Sequence, residues 1–374
     1  MLRLRSLCFA ALMGLSATGA HAADIVIGQV APFTGTLAPT GKGISLGIQA
    51  YVARVNATGG IRGNRLRLVT RDDAYKAEQT VAQTRDLLAT ESPVALVGFV
   101  GTGNALALQK DGILDAERIP LVGVRTGALA LRRPAPAYMF HTRASYAAEV
   151  QRVIDQMQGM GLKRIAVFHQ DDPFGQDGLD AAKARLGAAG LELVATGSYP
   201  KGTTEVADAV RAIHAADPNG VIMVSNTAAS AAFVKGMKDA GSFALMITLS
   251  VTAGPQVAER IGKETAHGLG IVQVVPNPES EAIAISQEMG EDLKRIDSEQ
   301  GPNHTVLEGY LMAKVLVEGI RRAATLDRAG ITAALNTMDA YDAGGVTIRY
   351  RPDNHDGSEY TDLSILDRSG HLLR

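Results

Sequence analysis

What most restricts the folds open to this chain is an alternation of short runs rich in β-branched residues with longer amphipathic runs. The short runs are "DIVIGQV" (24 to 30), "RLRLVTR" (65 to 71), "VALVGFV" (94 to 100), "IPLVGV" (119 to 124), "RIAVFHQ" (164 to 170), "LELVATG" (191 to 197), "GVIMVS" (220 to 225) and "ALMITLS" (244 to 250). Between them the spacing predicts helices, as in "AEQTVAQTRDLLATE" (77 to 91) and "TAASAAFVKGMKDAG" (227 to 241). Strand then helix, repeated, is the pattern of an α/β fold with parallel sheets flanked by helices. Nearly continuous apolar strands such as "VALVGFV" agree, because strands of such sheets are covered on both faces.

The series runs twice, over about 24 to 140 and again from Lys163 to about 275. "RRPAPAYMFHTRAS" (132 to 145) and "VVPNPES" (274 to 280) carry prolines and no period, as crossings between two lobes would. After them, helices are expected over roughly 281 to 298 and 304 to 324, then strands in "GGVTIRY" and "LSILDRSGHLL". The expected division is a first lobe of 23 to 142 plus 277 to 357 and a second of 143 to 276 plus 358 to 374.

The first residues, "MLRLRSLCFAALMGLSATGAHA", place Arg3 and Arg5 before an apolar core and Ala20-His21-Ala22 after it. This reads as a secretory signal cleaved after Ala22, leading to the periplasm. The core from Leu7 to Leu15 is shorter than the ~20 residues of a spanning helix. The single cysteine, Cys8, lies inside this leader, so the mature chain has no thiol for disulfides, nucleophilic catalysis or zinc. A formal charge of −2, made slightly more negative by loss of the leader's arginines, gives no reason to expect nucleic acid as a partner.

In open parallel sheets, ligands sit at the carboxyl ends of strands, in loops that enter helices. "VALVGFVGTGNALAL" (94 to 108) makes such a loop: Gly101 and Gly103 admit close backbone approach, Thr102 adds a hydroxyl, and Asn104 is placed to cap a helix whose free N–H groups favour an anion. "IPLVGVRTGALAL" (119 to 131) repeats the design with Thr126, Gly127 and Ala128, preceded by Arg125, a candidate for bidentate pairing with an anion. "APFTGTLAPTGKG" (31 to 43) does the same after the first strand. Three such loops on one rim favour a binding site for a carboxylate.

Enzyme, nucleotide and metal motifs do not fit. "GISLG" (43 to 47) matches the nucleophile elbow of serine hydrolases, yet Ile44, Ile48, Tyr51, Val52 and Val55 put Ser45 on a helix rather than a strand-to-helix turn. "GTGNAL" lacks the third glycine of a dinucleotide fingerprint. The histidines are scattered, and neither "QDDPFGQDG" (170 to 178) nor "PDNHDGSE" (352 to 359) has calcium-loop spacing. Asp172 instead precedes a helix with Pro173 in its first turn, which leaves Phe174 at a cleft mouth. No cofactor, no metal and no enzymatic activity are expected.

With "IVIGQVAPFTG", "GKGISLGIQAYVARVNATGGIRGNRLRLVTRDD", "VALVGFVGTGN", "IPLVGVRTGA" and "RIAVFHQDDPFGQ" behind a signal peptide, the chain resembles the type I periplasmic solute-binding proteins of ABC importers, of the branched-chain amino acid (Leu/Ile/Val) type. The resemblance covers essentially all of the mature chain and is most specific in "VNATGGIRGNRLRLVTRDD". It implies two Rossmann-like lobes joined by a three-crossing hinge, closure of the lobes on a ligand, docking of the closed form on an inner-membrane permease, and a monomer. Residue by residue it assigns the ligand carboxylate to Thr102, Gly103, Asn104, Thr126, Gly127 and Ala128, the first-lobe wall to Thr40, and the second-lobe wall to Tyr146, Phe174, Asn226 and Ser250.

Amino-acid binders of this family set an acid from the second lobe against the ligand ammonium, and the matching positions here are Tyr146 and Ser250. A buried ammonium without an acid costs several kcal/mol. Two expectations therefore stand: a small organic carboxylate, aromatic or dicarboxylic acids included, with Arg125 taking a second anionic group, or an amino acid with Asp171 or Asp172 as the acid. A binding protein that serves a membrane sensor rather than a permease, and a secreted hydrolase using Ser45, are the alternative functions.

Overall fold

The computed structural model describes residues 24–373; the leader expected at 1 to 22 lies outside them. Strands β1 (Ile25–Ala31), β2 (Leu66–Asp72), β3 (Ala95–Val100), β4 (Leu121–Arg125) and β5 (Met139–Phe140) form a parallel sheet in the order β2-β1-β3-β4-β5. Strands β6 (Arg164–Asp171), β7 (Glu192–Pro200), β8 (Gly220–Val224), β9 (Leu245–Thr248) and β10 (Gly270–Gln273) begin a second sheet. A small antiparallel sheet, β11 (Tyr341–Asp342), β12 (Thr347–Arg351) and β13 (Asn354–Gly357), comes next in sequence. The chain then returns to the second sheet with β14 (Asp362–Leu366) and β15 (Leu372–Leu373), giving the order β15-β14-β10-β9-β8-β6-β7 with an antiparallel edge.

Helices cover both faces of each large sheet. In the first half they are α1 (Ala38–Ala57), α2 (Ala77–Glu91), α3 (Thr102–Asp111) and α4 (Ile113–Glu117). The second sheet carries α5 (Tyr146–Gly159), α6 (Pro173–Ala188), α7 (Ala207–Ala215), α8 (Thr227–Asp239), α9 (Gly254–Ile261) and α10 (Lys263–Ala266). After the second crossing, α11 (Ala284–Arg295), α12 (His304–Arg322) and α13 (Arg328–Asn336) pack back on the first lobe, where α12 lies along α1 and is buried over almost its whole length. This is the doubly covered α/β architecture expected, in two lobes with three crossings: between β5 and α5, between β10 and α11, and between β13 and β14.

Local chemistry explains where these elements begin. Asn303 accepts a hydrogen bond from the Val306 N–H (3.1 Å), Ser145 from that of Ala148 (3.2 Å) and Asp327 from that of Gly330 (2.8 Å), each satisfying a donor that the first helical turn leaves free. β3 and β8 are buried at every residue, whereas β12 alternates exposed and buried as an antiparallel strand with one wet face. One apolar cluster is continuous from the α2–α3 side of the first sheet to the α5–α6 side of the second, through Ala128, Leu131, Tyr146, Phe174 and Val251. The lobes are therefore packed together in the closed arrangement. The fold departs from the expected elements at its edges: β5 lies inside the stretch that reads as a bare crossing, and α13 has no counterpart among the expected helices, because elements of two to nine residues at a sheet edge show little periodicity of their own.

The first crossing rests on two buried histidines. His141 is fully buried, its Nε2 donates to the Leu131 carbonyl (3.0 Å), and its backbone carbonyl accepts from the Tyr350 hydroxyl (2.7 Å). His355 stacks on Phe140 with 4.1 Å between ring centroids. Burial pushes both imidazoles below their usual range, and the Arg132 charge adds to this for His141. The unfolded chain therefore takes up protons near the ordinary histidine value of about 6.5 while the native state does not, so stability falls as pH drops below that point, by up to ~1.4 kcal/mol per pH unit for each histidine. Denaturant midpoints compared between pH ~7.5 and ~5.5 should show this loss, and His141→Asn should flatten the slope; an unchanged slope in the variant would remove His141 from the account.

Candidate ligand-binding cleft

The carboxyl ends of β3 and β4 face the second lobe. At the first, Gly101 adopts φ +103°, and a Cβ there would lie 2.6 Å from the Tyr75 ring, so glycine is required both for conformation and for space. No side chain caps α3. Asn104, expected to cap it, is the third residue of the helix, and its amide donates instead to Thr80 Oγ1 (2.8 Å) and Asp73 (3.3 Å). The uncapped N–H end of α3 thus keeps its partial positive charge toward the cleft. Thr102 and Thr126, both buried, join the two loops through their hydroxyls at 2.7 Å, and Thr126 Oγ1 accepts the Ala128 N–H (3.2 Å).

Gly127 has a different role from Gly101. Its carbonyl accepts the Tyr146 N–H at 2.9 Å, and a Cβ on it would overlap that same peptide and ring. The absence of a side chain at Gly127 is what lets the first-lobe loop touch the start of α5. Tyr146 then meets Phe174 at 5.1 Å between centroids, forming an aromatic wall from the second lobe. Burial raises the Tyr146 phenol above its usual range, so it stays protonated as a hydrogen-bonding group.

Asp172 caps α6, its Oδ1 accepting from Phe174 (3.0 Å) and Gly175 (3.2 Å) N–H groups. Its Oδ2 is buried and has no partner among the described residues. Asp171, next to it, is exposed. Asn226 donates its side-chain amide to Gln170 Oε1 (2.8 Å) and its N–H to the Tyr199 hydroxyl (3.1 Å), and so is held in place at the mouth. Thr40, in the first turn of α1, lines the mouth opposite Asn226 and Thr203.

Arg125 and Ser250 belong to a buried charge network that no local pattern reveals. Arg125 pairs with Glu308 (3.4 Å) and donates across the cleft to the carbonyls of Ser250 (3.2 Å) and Val251 (3.4 Å). Arg143, in the first crossing, pairs with Glu308 (3.2 Å), Glu149 (2.9 Å) and the Ser250 hydroxyl, while the Ser250 N–H donates to Glu149 (2.8 Å). The Arg125 guanidinium is thus already engaged by protein groups, as are both acids nearest Ser250.

Tyr75, Gln170, Tyr199 and Lys201 also face the cleft, and none of them is among the residues expected there. Ala74 and Tyr75 have φ of +48° and +63°, a costly conformation for a bulky residue, held by Asp72 and Asp73 accepting their N–H groups at 2.9 Å. The "RDDAY" stretch after β2, two acids able to fix a tight turn, is the one local signal for it. This turn aims the Tyr75 ring into the cleft, with its hydroxyl 3.4 Å from Gln170 of the other lobe. Lys201, also from the second lobe, sits 4.2 Å above that ring, donates to Asn104 Oδ1 (3.1 Å), and lies 3.7 Å from where a Gly103 Cβ would stand. Burial holds its ammonium below the usual range, against the pull of Asp172 and Asp73.

Ser45 lies within α1, buried, with its hydroxyl accepting from Gln49 (3.0 Å), so the elbow geometry is absent. No helix among the described residues is long and apolar enough to cross a membrane.

A family model described as "Periplasmic binding protein" matches residues 24–366. The Leu/Ile/Val-binding protein homolog 7 of Brucella suis is 26% identical over 362 residues, 93% of this chain and 88% of that protein. A substrate-binding periplasmic protein from Ralstonia solanacearum superposes with a TM-score of 0.88 at 32% identity, covering 94% of this chain and 99% of that one. A branched-chain amino acid ABC transporter protein from Thermus thermophilus, solved with bound valine, has the same fold (TM-score 0.84) at 17% identity over 94% of this chain and 95% of its own. Matched along the length of its two lobes and folded like these proteins, the chain belongs to the periplasmic binding proteins of the branched-chain amino acid type.

Proposed function

We propose that this chain is the substrate-binding component of an ABC importer, exported to the periplasm by cleavage after Ala22, which closes on a small carboxylate-bearing solute and delivers it to the inner-membrane permease. The observation that carries this reading is the uncapped N-terminus of α3 facing the Thr126–Gly127 loop inside an interlobe cleft. Such an end is favourable for an anion, which here would take backbone N–H groups of Thr102, Gly103 and Gly127 together with the Thr102 hydroxyl. Tyr146 and Phe174 supply apolar contact from the other lobe, and Asn226 closes the mouth. In the closed form the pocket at these loops encloses only about 10 Å³, room for roughly one water. Ligand entry therefore accompanies hinge opening, which must break the Arg125 bonds to Ser250 and Val251.

A second reading, that the ligand also carries an ammonium, is favoured by Asp172 Oδ2, a buried carboxylate oxygen without a partner beside Phe174. The test is a thermal-shift screen of protein stripped of ligand by unfolding and refolding, set against amino acids and their deaminated analogues. A ligand at 100 times its Kd adds about 2.7 kcal/mol, which at this chain length is a shift of several degrees. Stabilisation by plain carboxylates supports the first reading. Stabilisation by amino acids alone, lost in Asp172→Asn, supports the second; no shift with any carboxylate sinks both.

A further inference from the structure

Most of the space between the lobes is not at the two glycine loops. On the far side of Arg125, toward the second crossing, a chamber of about 600 Å³ opens, against about 10 Å³ at the loops. The first lobe walls it with Pro39 and the segment of residues 300 to 305 that leads into α12; the second lobe walls it with Ser250, Thr252 and the start of α9. Arg125 is the partition. It lines the loop pocket, and its Nη2 donates to the Ser250 carbonyl and to Thr305 Oγ1 (3.4 Å), both residues of the chamber wall. The two spaces meet at the cleft mouth, which shares Leu37 with the loop pocket and Pro39 with the chamber.

Inside its exposed rim the lining has no Asp, Glu, Lys or Arg and is rich in hydrogen-bonding groups. Gln273, at the end of β10, is only 4% exposed, yet its side-chain amide has no hydrogen-bond partner among the described residues. Its amide opens into the chamber, where its oxygen and NH2 group are a free acceptor and donor that a ligand group can engage. Gln256 and Asn277 add further amides, while the charges of Glu259, Arg260 and Glu279 are exposed at the rim. A chamber of this size and character is in the range of small-molecule sites.

We propose that the cleft is bipartite and that the chamber is a second subsite, which takes the distal, uncharged, hydrogen-bonding part (an amide or hydroxyl) of an extended carboxylate ligand. The proposal rests on the carboxylate reading above and adds the length and the far end of the ligand to it. Binding energy gained in the chamber is absent for a short acid that, once the hinge has opened to admit it, reaches only the two glycine loops. An apolar chain of equal length enters the chamber but leaves the Gln273 amide unpaired.

Calorimetric titration of the refolded full-length mature protein with butanoate, the monoamide of suberic acid and nonanoate tests this. The expected result is that the monoamide binds at least tenfold more tightly than either of the others, and that Gln273→Leu erases the gain while leaving the butanoate Kd unchanged. Ala253→Phe, which fills the chamber from its wall, should do the same by a different route. Butanoate binding as tightly as the monoamide overturns the second subsite and leaves the carboxylate reading standing. A monoamide gain that survives both variants also overturns it, and no binding of any of the three acids overturns both.

Discussion

Replacing Arg143 with methionine is expected to destabilise the protein by about 3–5 kcal/mol, the cost typical of breaking a buried ion network from one side. Arg143 is 1% exposed, and its guanidinium is the shared partner of Glu308, Glu149 and the Ser250 hydroxyl. Its pKa is raised despite burial because two carboxylates face it. Methionine matches much of the volume but leaves Glu149 without a cation, held only by Ser250, whose N–H lies at 2.8 Å, and leaves Glu308 to Arg125 alone. The network ties the first crossing (Arg143) to α12 in one lobe and to α5 and the end of β9 in the other, so its loss loosens the hinge as well as the core. Urea midpoints at constant m should report the cost. Adding Glu149→Gln to Arg143→Met should recover part of it, since the stranded charge is then removed; a single-variant cost below about 1 kcal/mol, or no recovery in the double variant, would show that the network is solvated rather than buried.

The second large effect is expected at Gly309. Here α12 crosses α1 at backbone contact: a Cβ on Gly309 would overlap the Ile44 carbonyl, and one on Gly47 would overlap the Val306 carbonyl. Both obstacles are main chain, so no rotamer change relieves them, and the two helices must separate. The neighbouring packing, including Tyr51 against Tyr310 at 5.1 Å, is built on that close approach. Gly309→Ala should therefore cost about 3 kcal/mol, the upper end for overpacking, even though alanine favours an isolated helix by about 1 kcal/mol over glycine. The melting temperature should fall by several degrees with the ligand affinity little changed, because α12 lines the cleft only with its first two residues, His304 and Thr305, and otherwise meets it through the Glu308 bond to Arg125. A stable Gly309→Ala protein would mean that the helices slide apart at little cost.

These two sites differ in how far they can be read along the chain. The "GISLG" stretch invites a chemical reading through Ser45, which its helical spacing opposes, while the glycines around it serve a helix crossing whose partner lies in α12, far along the chain. Among the cleft residues, Thr102, Gly103, Asn104, Thr126 and Gly127 stand out because loops at the ends of buried strands have a local signature: glycine, a hydroxyl and an apolar run before them. Lys201, Tyr75 and Gln273 lack one of comparable strength. Lys201 follows a strand edge in a polar turn, and only the closed arrangement of the lobes sets it over Tyr75.

The alternation of elements and the rim on which the loops gather are legible in the order of residues, because hydrophobic period and turn chemistry act over a few residues and leave a pattern there. That pattern suffices to place eight strands to within a few residues. Which polar groups remain free to meet a ligand is a different matter, and folding decides it. Along the chain Arg125 reads as an anion receptor; in the fold it is held by Glu308, 183 residues away, and by two carbonyls of the opposite lobe. Asp172 reads as a helix cap and is one, yet folding also buries its second oxygen without a partner. Ion pairing and burial are settled between residues distant in sequence, and the low polarity of the interior makes each such pairing, or its lack, decisive for what the cleft can bind.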